Sequence, residues 1–525
     1  MASAGISRFV AAMLIVATVV FAAPPSGRSS FAAGQTPAAA RAKLLVLVVV
    51  DQMRWDYLEY YKDRIHLGFD RLLKGGAVFS EARYPYAKTE TAQGHTLMAT
   101  GQPPAVAGIT GDQWYDRLSK ATIQAGESNV HKLVGTTTAG GAPEQLLVDT
   151  VGDVMKERDP STVVLTASWK RYAAELTAGH HADAAYWFDA GTGHMVTSDY
   201  YLHAYPDWVA SFDRVDLAAP YFGKEWLGHR LGTAGGTVDD KFRTSVRETP
   251  FANDILLAFV KRMLASSTLG RDDVTDFLMV SFSALDYVGH AYGAHSPELD
   301  AMFVEQDRQL GDFLQALDDT IGKDTWTLAL TADHGVALPA DKVRAAGGDA
   351  GVIDVNTYRT ALRRTLGEKI PNPDKLIATT SGPDIYLDYA EAAARGLDGA
   401  ALEQAVAAAA RVQPGVAQVY TRQQILGAAG STDPFLPMIA AGYFPSRSGD
   451  LYVLVKPNWY FSTSAHGAPY EYDQHVPLIF YGHGIVPGRY DRKVPMYDLA
   501  PTLAFIAGVT MPGVPGKPLA EALKK

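Results

Sequence analysis

Three carboxylates and three imidazoles carry the chemistry this sequence offers. Asp51 ends the apolar run 42–50, and Asp333 with His334 ends a second run, 325–332. Asp286 and His290 stand four residues apart, which puts both on one face of a helical turn. His466 lies in Ser464-Ala465-His466-Gly467. Each group alone has a plainer reading, such as a turn cap, a solvated helix face or an incidental histidine. Together they form the nitrogen and oxygen set that suits zinc. Six ligands are too many for one tetrahedral ion and enough for two. Two ions about 4 Å apart can clamp a phosphate and stabilise both the attacking and the leaving oxygen. Phosphoryl transfer asks for such positioning and charge neutralisation more than for acid–base groups. A hydroxyl near such an ion loses its proton readily and can attack. Thr91 is suitably placed, with Gly94 permitting close approach and a helix N-terminus offering N–H groups to phosphate. Spacing alone leaves Thr89, Thr91 and Thr96 open.

The elements that must hold these residues are strands and helices in alternation. Run 42–50 has no polar alternation, as expected of a strand buried on both faces of a parallel sheet. Its terminal Asp51 falls where open α/β sheets place their ligands. Residues 68–77 read as a helix capped by Gly75-Gly76, 78–84 as a strand, and 91–101 as a loop entering a helix. Residues 161–167 and 276–283 read as strands, and 250–264 and 298–321 as helices. Residues 449–456 and 476–482 return to strand. The expected architecture is one α/β core over 42–525, interrupted by insertions at roughly 115–248 and 342–443.

Composition narrows the class. The chain has 525 residues, 47% hydrophobic and 20% charged, with a net charge of -10. That balance is globular and gives no sign of a nucleic-acid-binding surface. Residues 1–23 read as a signal peptide and 24–41 as a disordered leader, which predicts a periplasmic or secreted protein without a stable membrane anchor. With no cysteine there can be no disulfide.

Asp51, Thr91-Ala-Gln-Gly-His95, Asp286-Tyr-Val-Gly-His290, Ala332-Asp-His-Gly335 and His466-Gly467 resemble, in order, the motifs of the alkaline phosphatase superfamily. The resemblance is to the type I phosphodiesterase/nucleotide pyrophosphatase branch, and within it to threonine-nucleophile bacterial alkaline phosphatases. It implies an αβα three-layer sandwich with a mostly parallel central sheet. It implies two zinc ions, one ringed by Asp51, Thr91, Asp333 and His334, the other by Asp286, His290 and His466. Thr91 would attack phosphorus and become phosphothreonine, in a monomer acting on small phosphate esters at alkaline pH.

Two positions depart from that pattern. Asp112 stands where the family has a phosphate-binding Asn. The family's Ser-x-Lys-Asp-Arg reads Ser168-Trp-Lys170-Arg171-Tyr172 here. Lys170 is thus the expected phosphate contact and catalytic partner of Thr91, with Asp112 and Arg171 as further candidates. An ionised Asp112 would repel phosphate unless it is protonated, paired with Arg171 or Lys170, or bound to a cation. Losing an Arg should hurt a monoester dianion more than a diester, so a phosphodiesterase or nucleotide pyrophosphatase is the alternative. A metal-binding protein without turnover is a third reading. A sulfatase is disfavoured, because the modified Cys or Ser motif of those enzymes is missing.

Overall fold

The computed structural model describes residues 41–233 and 235–524. The expected signal peptide and leader therefore lie outside the described residues, Arg41 excepted.

The seven residues of β1 (Leu44–Val50) are all buried. Its register explains why. It pairs in parallel with β6 (Asp276–Phe282) on one side and β7 (Trp326–Thr331) on the other. β3 (Val164–Ser168) and β4 (Ala184–Asp189) continue the parallel set beyond β6. On the far side of β7 runs antiparallel β8 (His475–Gly482), followed by β2 (Ala77–Arg83) and β9 (Gly488–Pro495). β5 (His194–Val196) closes the other edge, antiparallel to β4. The nine strands run β9-β2-β8-β7-β1-β6-β3-β4-β5.

Helices pack on this sheet in two groups, which completes the expected layering. One group contains α1 (Gly68–Gly75), α5 (Phe251–Ser266), α6 (Ala284–Tyr292) and α7 (Pro297–Leu317). The other contains α2 (Thr91–Thr100), α3 (Val151–Arg158), α4 (Arg171–Ala178) and α8 (Leu499–Ala507). Among the described residues no helix is long and apolar enough to cross a membrane.

Strand register aligns the chemistry. Val50 lies opposite Phe282, Val49 opposite Thr331, and Ser281 opposite Ser168. The carboxyl ends of β1, β6, β7 and β3 are therefore nearly flush. Asp51, Asp286, Asp333 and Lys170 follow those ends within a few residues, along one rim of the sheet.

The accessory regions differ from their expected bounds. β3, β4 and β5 come from within 115–248, so that segment supplies one side of the main sheet as well as short hairpins. The second region builds a four-stranded antiparallel sheet of Ile377–Ser381, Asp384–Leu387, Leu451–Val455 and Val416–Thr421. Leu451–Val455 belongs to this sheet although it lies beyond 443. Helices Val355–Gly367 and Gly399–Arg411 give it a core of its own, around Leu362, Leu402 and Val453.

Candidate metal centre and active site

The rim gathers two sets of candidate ligand atoms, each set within 4.8 Å of one another: Asp51, Asp333 and His334 in one, Asp286, His290 and His466 in the other. The first set is fully buried, whereas His290 is exposed and His466 half-buried, so the site opens on the second. The imidazoles of His334 and His466 stack with centroids 3.7 Å apart, which brings the two sets together.

Backbone carbonyls orient these rings. His334 Nδ1 lies 2.9 Å from Gly335 O, and His466 Nδ1 lies 2.9 Å from Thr89 O. A carbonyl only accepts, so each Nδ1 carries the proton and each Nε2 presents a lone pair to the centre. Burial and the neighbouring His334 and His290 hold His466 well below its usual pKa, as a neutral ligand requires.

Thr91 is the first residue of α2 and lies between the two sets and a lysine. Its Oγ1 is 3.4 Å from His334 Nε2 and accepts from Lys170 Nζ at 3.0 Å. α2 can approach this closely because of Gly94. A Cβ there would collide with Asp333, whose carbonyl oxygen and Cβ already abut it. Lys170 Nζ also reaches Asp286 Oδ2 at 2.7 Å and Asp51 Oδ2 at 2.8 Å. The contact to Asp51 is an ion pair without good hydrogen-bond geometry, because both Asp51 oxygens lack a hydrogen-bond partner.

The charges leave a surplus. Burial pushes Asp51 up, reinforced by Asp333 and only partly opposed by Lys170. Burial works the same way on Asp286 and Asp333. It is outweighed at Asp286 by His290 and Lys170, and at Asp333 by His334 and His95, so both carboxyls fall below their usual range. Burial opposes the Lys170 charge, but Asp286 and Asp51 overcome it and raise its pKa. Two carboxylates, Asp286 and Asp333, and the raised Asp51 carboxyl thus share one ammonium, and Asp51 and Asp333 keep oxygens without hydrogen-bond partners. Buried negative charge of this kind requires cations, and oxygen and imidazole donors fit divalent metal. A third group, Asp149, Asp153 and His180, has no such surplus. Both Asp153 oxygens already accept backbone N–H groups, from Thr150 and His181.

Three further residues support the site. Gln52 donates its backbone N–H to Asp333 Oδ1 at 3.0 Å and its Nε2–H to Asp286 Oδ1 at 2.6 Å, which ties the two sets together. It does so from a left-handed backbone, φ 67°. His95 spans Thr91 O and Ser281 Oγ, both at 2.9 Å, and lies 3.4 Å from Asp333 Oδ2. Glu90, pushed by burial to about 7 despite Lys88, accepts from Asp112 N–H at 3.0 Å.

The departing positions are committed elsewhere. Asp112 pairs with neither Arg171 nor Lys170. Its Oδ1 accepts from Ala92 N–H at 2.8 Å, and its Oδ2 accepts from Tyr172 OH at 3.4 Å. The Ala92 amide, one of the N–H groups at the start of α2, is thereby occupied. Arg171 pairs with Glu175 at 2.9 Å, one helical turn on, instead of facing Thr91. Of the three candidate phosphate contacts, the structure brings only the Lys170 side chain to the Thr91 hydroxyl.

A helix–sheet–helix fold with paired ligand sets around a buried threonine defines a class of phosphoric ester hydrolase. Residues 45–477 match the type I phosphodiesterase / nucleotide pyrophosphatase family, and the chain belongs to it. The chain is 31% identical to alkaline phosphatase PafA of Elizabethkingia meningoseptica, over 94% of this chain and 96% of that one. It is 32% identical to alkaline phosphatase PhoV of Synechococcus elongatus, over 92% and 94%. A protein of Myroides odoratus named calcium-transporting ATPase is also 32% identical, over 94% and 97%. The crystal structure of PafA superposes with a TM-score of 0.85 at 30% identity, covering 93% of this chain and all of that one.

Proposed function

We propose that the chain is an exported, monomeric alkaline phosphatase that uses two zinc ions and cleaves phosphate monoesters through phospho-Thr91. The observation that carries this reading is the place of Thr91 Oγ1, 3.4 Å from His334 Nε2 and 3.0 Å from Lys170 Nζ, beside both ligand sets. The names of PafA and PhoV support it. So does a PafA variant substituted at a Thr and an Asn 21 positions apart and at a Lys and an Arg two apart. Thr91 and Asp112 have the first spacing here, and Lys170 and Tyr172 the second.

Asp51, Asp333 and His334 would hold one cation, and Asp286, His290 and His466 the other. Bound there, the cations would neutralise the buried carboxylates and the ester's charge and ease loss of the Thr91 proton. The Thr91 oxygen attacks phosphorus in line, the ester O–P bond breaks, and the alcohol leaves. Water then cleaves the bond between phosphorus and Thr91, releasing inorganic phosphate and restoring the hydroxyl. Lys170 holds Thr91 before attack and takes phosphate oxygens once cations relieve its pairing with Asp51 and Asp286. Gln52 keeps the Asp286 and Asp333 carboxylates in register throughout.

Thr91→Ala tests the assignment with an aryl phosphate. Turnover should fall by at least about a thousandfold, as expected when a nucleophile is removed. Undiminished turnover would exclude Thr91.

A phosphodiesterase is the second reading, and Tyr172 is the observation that favours it. A neutral phenol hydrogen-bonded to Asp112 brings no charge to a monoester dianion. Comparing kcat/KM for an aryl monoester and an aryl diester separates the two activities. Chelator-sensitive turnover of either would exclude a binding protein without catalysis.

A further inference from the structure

We propose that Arg247 is a substrate contact that binds the phosphate oxygens facing away from the ligand sets. The proposal rests on the phosphatase reading above and names the residue that supplies its second positive charge.

A cavity of about 320 Å³ opens on the Lys170 side of Thr91. Its charged lining residues are Lys170, Arg171, Asp189 and Arg247, with Tyr172 and Tyr287 among its aromatic walls. Three of these charges are committed. Lys170 pairs with Asp51 and Asp286, Arg171 pairs with Glu175, and Asp189 Oδ2 accepts from Thr192 N–H at 2.7 Å.

Arg247 is different. Among the described residues it has no ion pair, and its Nε is buried without a hydrogen-bond partner. It is held only by stacking, with Cζ 4.5 Å from the Tyr287 ring centroid. The Lys170 ammonium stands 5.2 Å from the centroid of the same ring. One tyrosine, adjacent in sequence to Asp286, therefore braces both cations in the cavity lining.

A buried guanidinium N–H without an acceptor is costly, and an anion in the cavity is a partner that satisfies it. The substrate supplies an anion within reach of Lys170, because Lys170 touches the nucleophile. A phosphate on Thr91 would present its oxygens on one side to the ligand sets and on the other to Lys170 and this cavity. Tyr172 brings no charge there and Arg171 is engaged by Glu175, so Arg247 is the uncommitted cation among the lining residues. It comes from the accessory segment preceding α5, so the contact does not depend on the motif that holds Lys170.

The test is inorganic phosphate binding to the zinc-loaded enzyme by calorimetry, with Arg247→Ala and the stem-preserving Arg247→Gln. Both should weaken phosphate binding about tenfold or more, at unchanged zinc content and Tm. Both should lower kcat/KM for an aryl monoester by a larger factor than for an aryl diester. Added guanidinium ion should restore part of the Arg247→Ala loss, which a merely structural role would not allow. Phosphate affinity and monoester-to-diester ratio unchanged in both variants would overturn the proposal. Wild-type enzyme that binds phosphate but turns over no ester would sink the phosphatase reading and leave the Arg247 assignment to be decided by the binding data.

Discussion

The two sides of Thr91 are charged on opposite terms. On one side, three buried carboxyl groups share a single ammonium, and Asp51 and Asp333 keep oxygens without hydrogen-bond partners. On the other, the basic side chains mostly have acceptors within the protein already, as Arg171 has in Glu175 at 2.9 Å. The first side has negative charge to give to cations. The second has most of its donors already taken, with Arg247 Nε as the exception. The contrast teaches that a ligand's place is marked by charge the fold leaves uncompensated, more than by residue type. Arg171 has the type of a phosphate contact, but Glu175 has already claimed it.

The largest effect should come from emptying the negative side. Chelator should lower turnover by more than about a thousandfold, and zinc should restore it. Retained activity after exhaustive chelation would erase the contrast. Next, His466→Ala should lower activity by at least about a hundredfold and remove one of two bound zinc ions in metal analysis, leaving the Asp51 set loaded. Loss of neither ion would take His466 out of the ligand set.

A smaller change should follow from adding charge to the other side. The pair Asp112→Asn with Tyr172→Arg should raise the monoester-to-diester ratio of kcat/KM about tenfold. A falling ratio would show that the Asp112–Tyr172 contact serves monoester binding as it stands.

The smallest effect concerns Arg171 and its tether. Burial pushes the Glu175 carboxyl to about 8, although Arg171 pulls it down. The folded protein then keeps a proton that the unfolded chain releases near the ordinary carboxyl value of 4.5. This contribution to stability is full below 4.5, falls as pH rises toward about 8, and levels off beyond. Glu175→Gln should flatten that part of a urea-denaturation pH series, by a few kcal/mol at most. An unaltered slope would mean Glu175 is ionised in the folded state.

Much of the negative side could be read in the sequence. A buried parallel strand advertises itself as an unbroken apolar run, so the polar residue ending it is easily found, as with Asp51 and Asp333. Asp286 and His290 follow from helical spacing. His466 sits in a loop with no periodicity, and only its place in an ordered set of motifs singled it out. Gln52 was missed because its role depends on a left-handed backbone that nothing in its type requires. The fate of Arg171 was partly legible, since Arg171 and Glu175 stand four apart on a helix, the spacing of an ion pair. The contact of Asp112 with Ala92 N–H depends on tertiary approach across 20 residues. The same holds for the accessory segments, where short edge strands such as His194–Val196 carry too little pattern to show which sheet they join.

The central claim is that Thr91 receives the phosphoryl group. Acid-quenching the zinc enzyme during turnover of an aryl phosphate, then mapping its peptides by mass, tests it most directly. The account predicts one added phosphoryl group on the peptide bearing Thr91, localised to its side chain. A phosphoryl group on any other residue, or steady turnover with every peptide unmodified, would contradict it.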